Sequence, residues 1–143
     1  PNYTWGKSLE KTVSECGVKY IQGQKIARYT NSNGESNRRR YRFIGNKNTN
    51  GSIELCRNAM FEPSENHNKD WINECLSEIA MAFRWHKPAI ICSHRVNFIG
   101  SINPSNRDNG LRQLKSLLSE IKKRWPDVEF MSSDVLGDVI MLK

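Results

Sequence analysis

The stretch from residue 70 to residue 97, DWINECLSEIAMAFRWHKPAIICSHRVN, carries the strongest structural signal in the chain. Apolar residues recur at helical spacing over residues 70–85, which predicts an amphipathic helix. Its broad apolar face comprises Trp71, Ile72, Cys75, Leu76, Ile79, Ala80 and Phe83. Pro88 ends this helix, and the wholly apolar run 89–92 is typical of a strand buried on both faces of a parallel sheet.

The same alternation of helices and strands extends on both sides of this stretch. Helices are predicted over residues 7–16 and 107–125 and from residue 133 onward, and strands over 18–21, 52–56 and 128–131. The apolar residues of the helix over 107–125 are Leu111, Leu114, Leu117, Leu118 and Ile121. Residues 30–51 are polar and basic and are predicted to be an insert loop, in which 41–44 form a strand or an ordered crossing segment. The order indicates an α/β fold of βα repeats around a mainly parallel sheet.

Length and composition are those of one globular unit spanning residues 1–143. The 143 residues are 37% hydrophobic and 26% charged, and no apolar run is long enough to cross a membrane. Cys16, Cys56, Cys75 and Cys92 form no Cys-x-x-Cys pair, and reduced thiols would fit a cytoplasmic protein. The chain starts at Pro1 rather than at a methionine, so we expect it to be a fragment of a longer protein.

The net charge of +7 comes largely from two clusters, one at residues 38–42 and one at 122–124. A basic surface can bind nucleic acid by releasing counterions from the phosphates. The simpler interpretation, which we favour, is a solvated loop for the first cluster and a helix C-terminus for the second, where cations oppose the helix dipole.

Polar residues are dense just after each predicted strand, where active-site residues of parallel α/β sheets gather. The residues at these positions are Gln22, Gln24, Arg57, Asn58, Glu62, His94, Arg95, Asn97, Ser132, Ser133 and Asp134.

Three segments resemble the polysaccharide deacetylases and related bacterial glycoside hydrolase/deacetylase barrels. They are RNAMFEPS at residues 57–64, the run from Lys87-Pro88 to His94-Arg95-Val96-Asn97, and WPDVEFMSSD at 125–134. The start of the chain, PNYTW at 1–5 followed by a helix and Gly17-Val18, resembles the family's middle motif. In the family's late strand a leucine stands two residues before the histidine, and here Cys92 takes that place.

The resemblance implies the C-terminal half of a (β/α) barrel in which His94 is the catalytic acid. It also implies a divalent, zinc-like metal in the complete protein, although the family's Asp-Asp pair and His-x-x-x-His motif are absent from this chain. Either those ligands lie upstream or the protein does not perform the family chemistry. The missing half, or a second copy of the chain, would then cover the open edge of the sheet.

Each candidate residue also has a structural interpretation. His94 is either a general acid or a substrate contact, or else a residue that hydrogen-bonds the next loop. Arg57 and Glu62 are either a pair that orients a ligand or a salt bridge. Asn58, Arg95 and Asn97 are substrate-contact candidates, although loop asparagines often serve backbone groups. Trp5 is the best candidate for stacking on a sugar, whereas Trp71 and Trp125 are expected in the core.

Two further functions remain open at this point. The chain could be a small basic binding module that uses residues 38–42 to hold an anionic partner such as RNA, or a structural domain without catalytic activity. Nucleic acid is the less favoured partner, because only Tyr41 and Phe43 are interleaved with the arginines. The first expectation therefore stays a carbohydrate-active hydrolase whose metal-site motifs lie outside this chain.

Overall fold

The computed structural model describes residues 4–30 and 36–142, with side chains described for residues 8–29 and 39–142. The chain forms two compact units. The first comprises Pro1–Arg57 together with Met131–Lys143, and the second is Asn58–Phe130.

The first unit contains five strands and two helices in its described residues. They are β1 (Thr4–Gly6), α1 (Lys7–Glu15), β2 (Tyr20–Gly23), β3 (Ile26–Thr30), β4 (Ser36–Tyr41), β5 (Ile53–Cys56) and α4 (Ser133–Met141). Strand β1 pairs with β3 in parallel, and β4 pairs with β3 in the antiparallel direction. Strands β2 and β5 form a separate parallel pair.

Helix α4 lies close to the β2–β5 pair. Gly137 of α4 is buried, and a Cβ atom at this position would lie 2.5 Å from the ring of Tyr20. The Tyr20 hydroxyl donates a hydrogen bond to Asp138 on the same helix. All four residues of β5 are buried, as expected of a strand in the interior of this unit.

The second unit holds the segment with the strongest sequence signal. Its elements are β6 (Ala59–Met60), α2 (Trp71–Arg84), β7 (Ile91–Cys92), a 3-10 helix (Arg95–Phe98) and α3 (Pro104–Arg124). Strands β6 and β7 pair in parallel. The core between them and the two helices consists of Ala59, Phe61, Trp71, Cys75, Leu76, Ile79, Leu117 and Ile121. Trp125 packs edge-on against Phe83, with ring centroids 5.1 Å apart, so both tryptophan core predictions are confirmed.

The prediction of a mixed α/β fold with parallel strand pairing is confirmed, but several details differ. The described strands form three small sheets and no closed barrel. Residues 128–131 are not a strand in the structure, because they pair with no described strand and both Phe130 and Met131 are exposed. The predicted insert loop contains β4, which gains its hydrogen bonds from β3. No helix in the described residues is long and apolar enough to cross a membrane.

Ala80 and two leucines of α3 depart from the predicted apolar faces. Ala80 is exposed although it was assigned to the core face of α2. Leu111 and Leu118 are 47% and 37% exposed, whereas Leu117 and Ile121 are buried. The residues of α3 that face the core therefore form a narrower stripe than the periodicity predicts.

Asp70 caps the N-terminus of α2, and its carboxylate accepts a hydrogen bond of 3.0 Å from the backbone of Asn73. Hydrogen bonds from the backbone and side chain of Asn73 lower the pKa of Asp70. A lowered pKa in the folded state means that the stabilisation is present above the unfolded pKa of about 3.9 and is lost as the pH falls through the folded value.

We therefore expect Asp70→Ala to lower the melting temperature at neutral pH, with the deficit shrinking as the pH falls below about 4. Asp70→Asn is the matched control, since an amide oxygen can cap the helix without titrating in this range. Thermal unfolding followed by circular dichroism at several pH values measures both. A deficit of Asp70→Ala that is equal at pH 7 and at pH 2 would contradict the assignment.

Gly110 lets α3 approach the backbone of Asn97 closely. A Cβ atom at Gly110 would lie 1.9 Å from the Asn97 carbonyl oxygen, so a side chain cannot be accommodated without a shift of the backbone. In an exposed helix the change of glycine to alanine stabilises by about 1 kcal/mol. Here we expect Gly110→Ala to destabilise by about 1–3 kcal/mol, because the overpacking dominates.

Urea unfolding of Gly110→Ala measures this effect, with Ser116→Ala on the exposed side of the same helix as the control. Ser116→Ala is expected to be neutral or slightly stabilising. A gain in stability from Gly110→Ala would mean that α3 does not contact Asn97 in this way.

Candidate active site

Glu62 and His94 form a hydrogen-bonded pair at one edge of the β6–β7 sheet. Each residue follows its strand by two positions, and the parallel pairing brings the two strand ends together. The Nδ1 atom of His94 lies 2.7 Å from Oε1 of Glu62. The backbone N–H of His94 also donates to the same carboxylate, at 3.0 Å from Oε1 and 3.2 Å from Oε2.

The pair has one buried and one exposed member. The side chain of Glu62 is 5% exposed, whereas that of His94 is 59% exposed. A carboxylate only accepts hydrogen bonds, so a neutral His94 places its hydrogen on Nδ1 and the lone pair on Nε2. The ring is thus fixed at Nδ1 by a buried carboxylate, while most of its surface is exposed.

Asn97 forms hydrogen bonds with both members of this pair and is fully buried. Its amide nitrogen donates to Oε2 of Glu62 at 2.7 Å, to the backbone oxygen of His94 at 2.8 Å and to Oγ of Ser93 at 3.1 Å. Its amide oxygen accepts from the backbone N–H of Ser64 at 3.0 Å and from the Ser64 hydroxyl. Asn97 therefore holds together the chain segments after β6 and after β7.

Asn97→Ala would leave the Glu62 carboxylate and the Ser64 amide without a buried partner. We expect this variant to lose about 1–3 kcal/mol of unfolding free energy, the cost of buried groups that have lost a hydrogen bond. The control is Asn106→Ala, since Asn106 donates one exposed hydrogen bond to Val96 in the same region. Equal stability of the two variants in chemical denaturation would contradict the proposed network.

The other predicted substrate residues are not all in this cluster. Arg95 is exposed in the 3-10 helix next to His94. Asn58 uses its side chain on the backbone, accepting from Ile90 at 2.7 Å and donating to Pro88 at 3.0 Å. These two hydrogen bonds hold the segment at the start of β7.

Arg57 and Trp5 belong to the first unit. Arg57 is partly buried there, and its backbone N–H donates to Gly23 at 2.9 Å. The backbone of Trp5 lies in β1 opposite Tyr29, but its side chain is outside the described residues. Stacking of Trp5 on a sugar therefore stays a prediction.

Ser64 and Ser93 belong to the cluster although the sequence did not single them out as site residues. Ser93 precedes His94, and Ser64 lies two residues after Glu62. This closeness in sequence to Glu62 and His94 is the feature that could have identified the two serines. Cys75 lies in the same unit but is a poor nucleophile, because burial raises the pKa of its thiol to about 12.

The first unit contains a second buried polar cluster. Nη2 of Arg42 lies 4.0 Å from Glu10 and its Nε lies 3.5 Å from Glu54, with all three side chains almost fully buried. Arg40 pairs with Glu54 as well. Burial raises the pKa of Glu54, against the opposing effect of the two arginines. Two arginines expected in a solvated loop thus neutralise buried carboxylates.

The second basic cluster lies where the sequence predicts it. Lys122, Lys123 and Arg124 occupy the last turn of α3, where their charge opposes the helix dipole. Lys122 donates to the carbonyl of Pro126 at 2.9 Å, just past the end of the helix. This contact ties Lys122 to the segment that follows the helix.

A metal is implied by the family resemblance, but the described residues do not fit one. No group of three or more His, Cys, Asp or Glu side chains is arranged to hold a metal ion in the part of the chain that the structure describes. Glu62 is already surrounded by donors from His94 and Asn97, so it is engaged as a hydrogen-bond acceptor. We therefore consider the chemistry that the side chains of this site can perform.

Comparison of the chain with protein-family models, with curated proteins and with solved structures yields no match.

Proposed function

We propose that this chain supplies the acid/base histidine of a hydrolase that acts on polysaccharides. In this proposal His94 transfers the proton and Glu62 is its positioning residue. The observation that carries it is the contact of 2.7 Å between Nδ1 of His94 and the buried carboxylate of Glu62, which leaves the other end of the ring in solvent.

The physical logic is that of a histidine oriented by a carboxylate. Histidine titrates near neutral pH, so its ring can both accept and donate a proton during one reaction cycle. The carboxylate fixes the ring orientation and stabilises the positive charge that develops when Nε2 takes up a proton. Nε2 would take this proton from a water molecule whose oxygen bonds to the acyl or anomeric carbon. It would then return the proton to the leaving oxygen or nitrogen as the acyl or glycosidic bond breaks.

The substrate class comes from the likeness to polysaccharide deacetylases, and the proton-transfer role comes from the geometry. An ester, an N-acetyl group or a glycosidic bond each needs a proton on its leaving atom, which an exposed Nε2 can deliver. Exposed Arg95 lies beside His94 in the sequence and is the proposed contact to sugar hydroxyls or to a charged substituent. Arg57, Asn58 and Trp5 stay proposals from the resemblance alone.

The same resemblance leads us to propose that the chain is the latter part of a (β/α) barrel. In that arrangement the remaining catalytic groups, including any metal ligands, come from an upstream segment. The β6–β7 pair with its strand-end residues supports this proposal, because parallel barrels collect their functional groups at this end of the strands.

The decisive variant is His94→Ala in the full-length protein. We expect turnover to fall by about 10²–10⁴-fold, the usual contribution of a general acid or base. The fold should stay intact, since the imidazole is mostly exposed. Acetate release from acetylated xylan and from chitin oligosaccharides, together with reducing-end formation, measures the activity.

His67→Ala is the matched control, because His67 is an exposed histidine of the same unit. It should retain full activity. Glu62→Gln tests the positioning role: we expect a lower kcat with little change in KM, together with a shifted pH profile. Undiminished turnover in His94→Ala would refute the proposal.

A further inference from the structure

One face of the sheet formed by β1, β3 and β4 exposes basic and aromatic side chains together. Strands β3 and β4 place Ile26 opposite Tyr41 and Arg28 opposite Arg39. Tyr41 is 67% exposed, Phe43 is 62% exposed and Ile26 is 36% exposed. Arg28 and Arg39 are exposed too. We call these five residues the arginine–aromatic face.

Strand alternation separates this face from the interior of the unit. Ala27 and Tyr29, which lie between the exposed positions of β3, are buried. On the other strand Arg40 pairs with Glu54, and Arg42 just beyond it lies close to the same carboxylate. Arg40 and Arg42 are therefore neutralised by a carboxylate inside the unit, whereas Arg28 and Arg39 are exposed.

Arg28 and Arg39 lie directly opposite each other on neighbouring antiparallel strands. Like charges at such positions destabilise a sheet, because the side chains stand only about 5 Å apart. Among the described residues, no acidic side chain forms an ion pair with either arginine. Two adjacent guanidinium groups with no ion-pair partner among the described side chains form a site suited to an anion.

We propose that the arginine–aromatic face binds an acidic polysaccharide, with sugar carboxylates on Arg28 and Arg39 and sugar rings on Tyr41 and Phe43. Phe43 follows Tyr41 by two residues and lies just past the end of β4. The class of polymer rests on the proposed function, whereas the anion site rests on the sheet geometry.

A sugar polymer with carboxylates fits this face better than a nucleic acid. Proteins that bind nucleic acid tightly neutralise about 6–10 phosphates. The described part of this face offers two arginines, because Arg40 and Arg42 are directed to buried carboxylates. Two cations beside an apolar platform match a chain that carries one carboxylate per sugar ring.

The test is calorimetric titration of the full chain at low ionic strength with oligogalacturonate, with neutral cello-oligosaccharide of equal length and with poly(U). We expect oligogalacturonate to bind and the neutral chain to bind at least about tenfold more weakly, because the charged contacts are lost. Arg28→Ser/Arg39→Ser should lower the affinity for oligogalacturonate by about tenfold or more. Tyr41→Ala should lower it as well.

Arg84→Ser is the control, since it removes an exposed arginine from α2 in the other unit. It should bind like the native chain, and circular dichroism checks that all variants are folded. Oligogalacturonate binding that survives the double arginine change overturns the inference. Tighter binding of poly(U), lost in the same variant, would assign the face to nucleic acid instead.

The binding test of the arginine–aromatic face and the activity test of His94 give independent results. Binding of oligogalacturonate should be the same in His94→Ala, because His94 and the arginine–aromatic face lie in different units. Hydrolysis without binding at this face would refute the inference alone. Binding without any effect of His94 on turnover would refute the hydrolase proposal alone.

A change of sedimentation coefficient in the double variant would mean that a second copy covers the face, which also overturns the inference.

Discussion

Asn97 makes the contacts on which the candidate site depends. Its amide is fully buried and bonds to Glu62, Ser64, Ser93 and His94, so it links the segments that follow two neighbouring strands. Asparagine suits this position because its side chain offers both a donor and an acceptor at one point. The absence of a side chain at Gly110 lets α3 pack directly on the Asn97 backbone, which holds the amide in place.

Burial has different consequences in the two polar clusters. Glu62 is buried, but most of the side chain of its partner His94 is exposed. Glu10, Arg42 and Glu54 are all buried inside the first unit. A buried ionic cluster is costly to desolvate, and the loss of one partner leaves an uncompensated charge. Of these two described clusters, the Glu62–His94 pair is the one with an exposed member.

The fold places some basic side chains against protein groups and leaves others exposed at the surface. Arg40 and Arg42 lie against carboxylates, and Lys122 bonds the Pro126 carbonyl just past α3, so these cations serve the structure. Arg28 and Arg39 stay at the surface beside exposed aromatic rings. The net charge of +7 is therefore a poor guide to binding, because it does not distinguish inward from outward arginines on one strand.

The amino-acid sequence by itself predicted helices over 70–85 and 107–125, which the structure places at 71–84 and 104–124, and the buried strand before His94. It could do so because apolar periodicity and prolines act locally. It also indicated that Glu62, His94 and Asn97 lie at strand ends. Periodicity did not reveal that 128–131 lack a strand partner, since pairing depends on distant segments. It also missed most of β4, because this strand is polar and shows no apolar alternation. Only the tertiary structure decided that Glu62 holds His94 while Asn58 bonds the backbone, because hydrogen-bond partners 30 or more residues apart are chosen by how the strands pack.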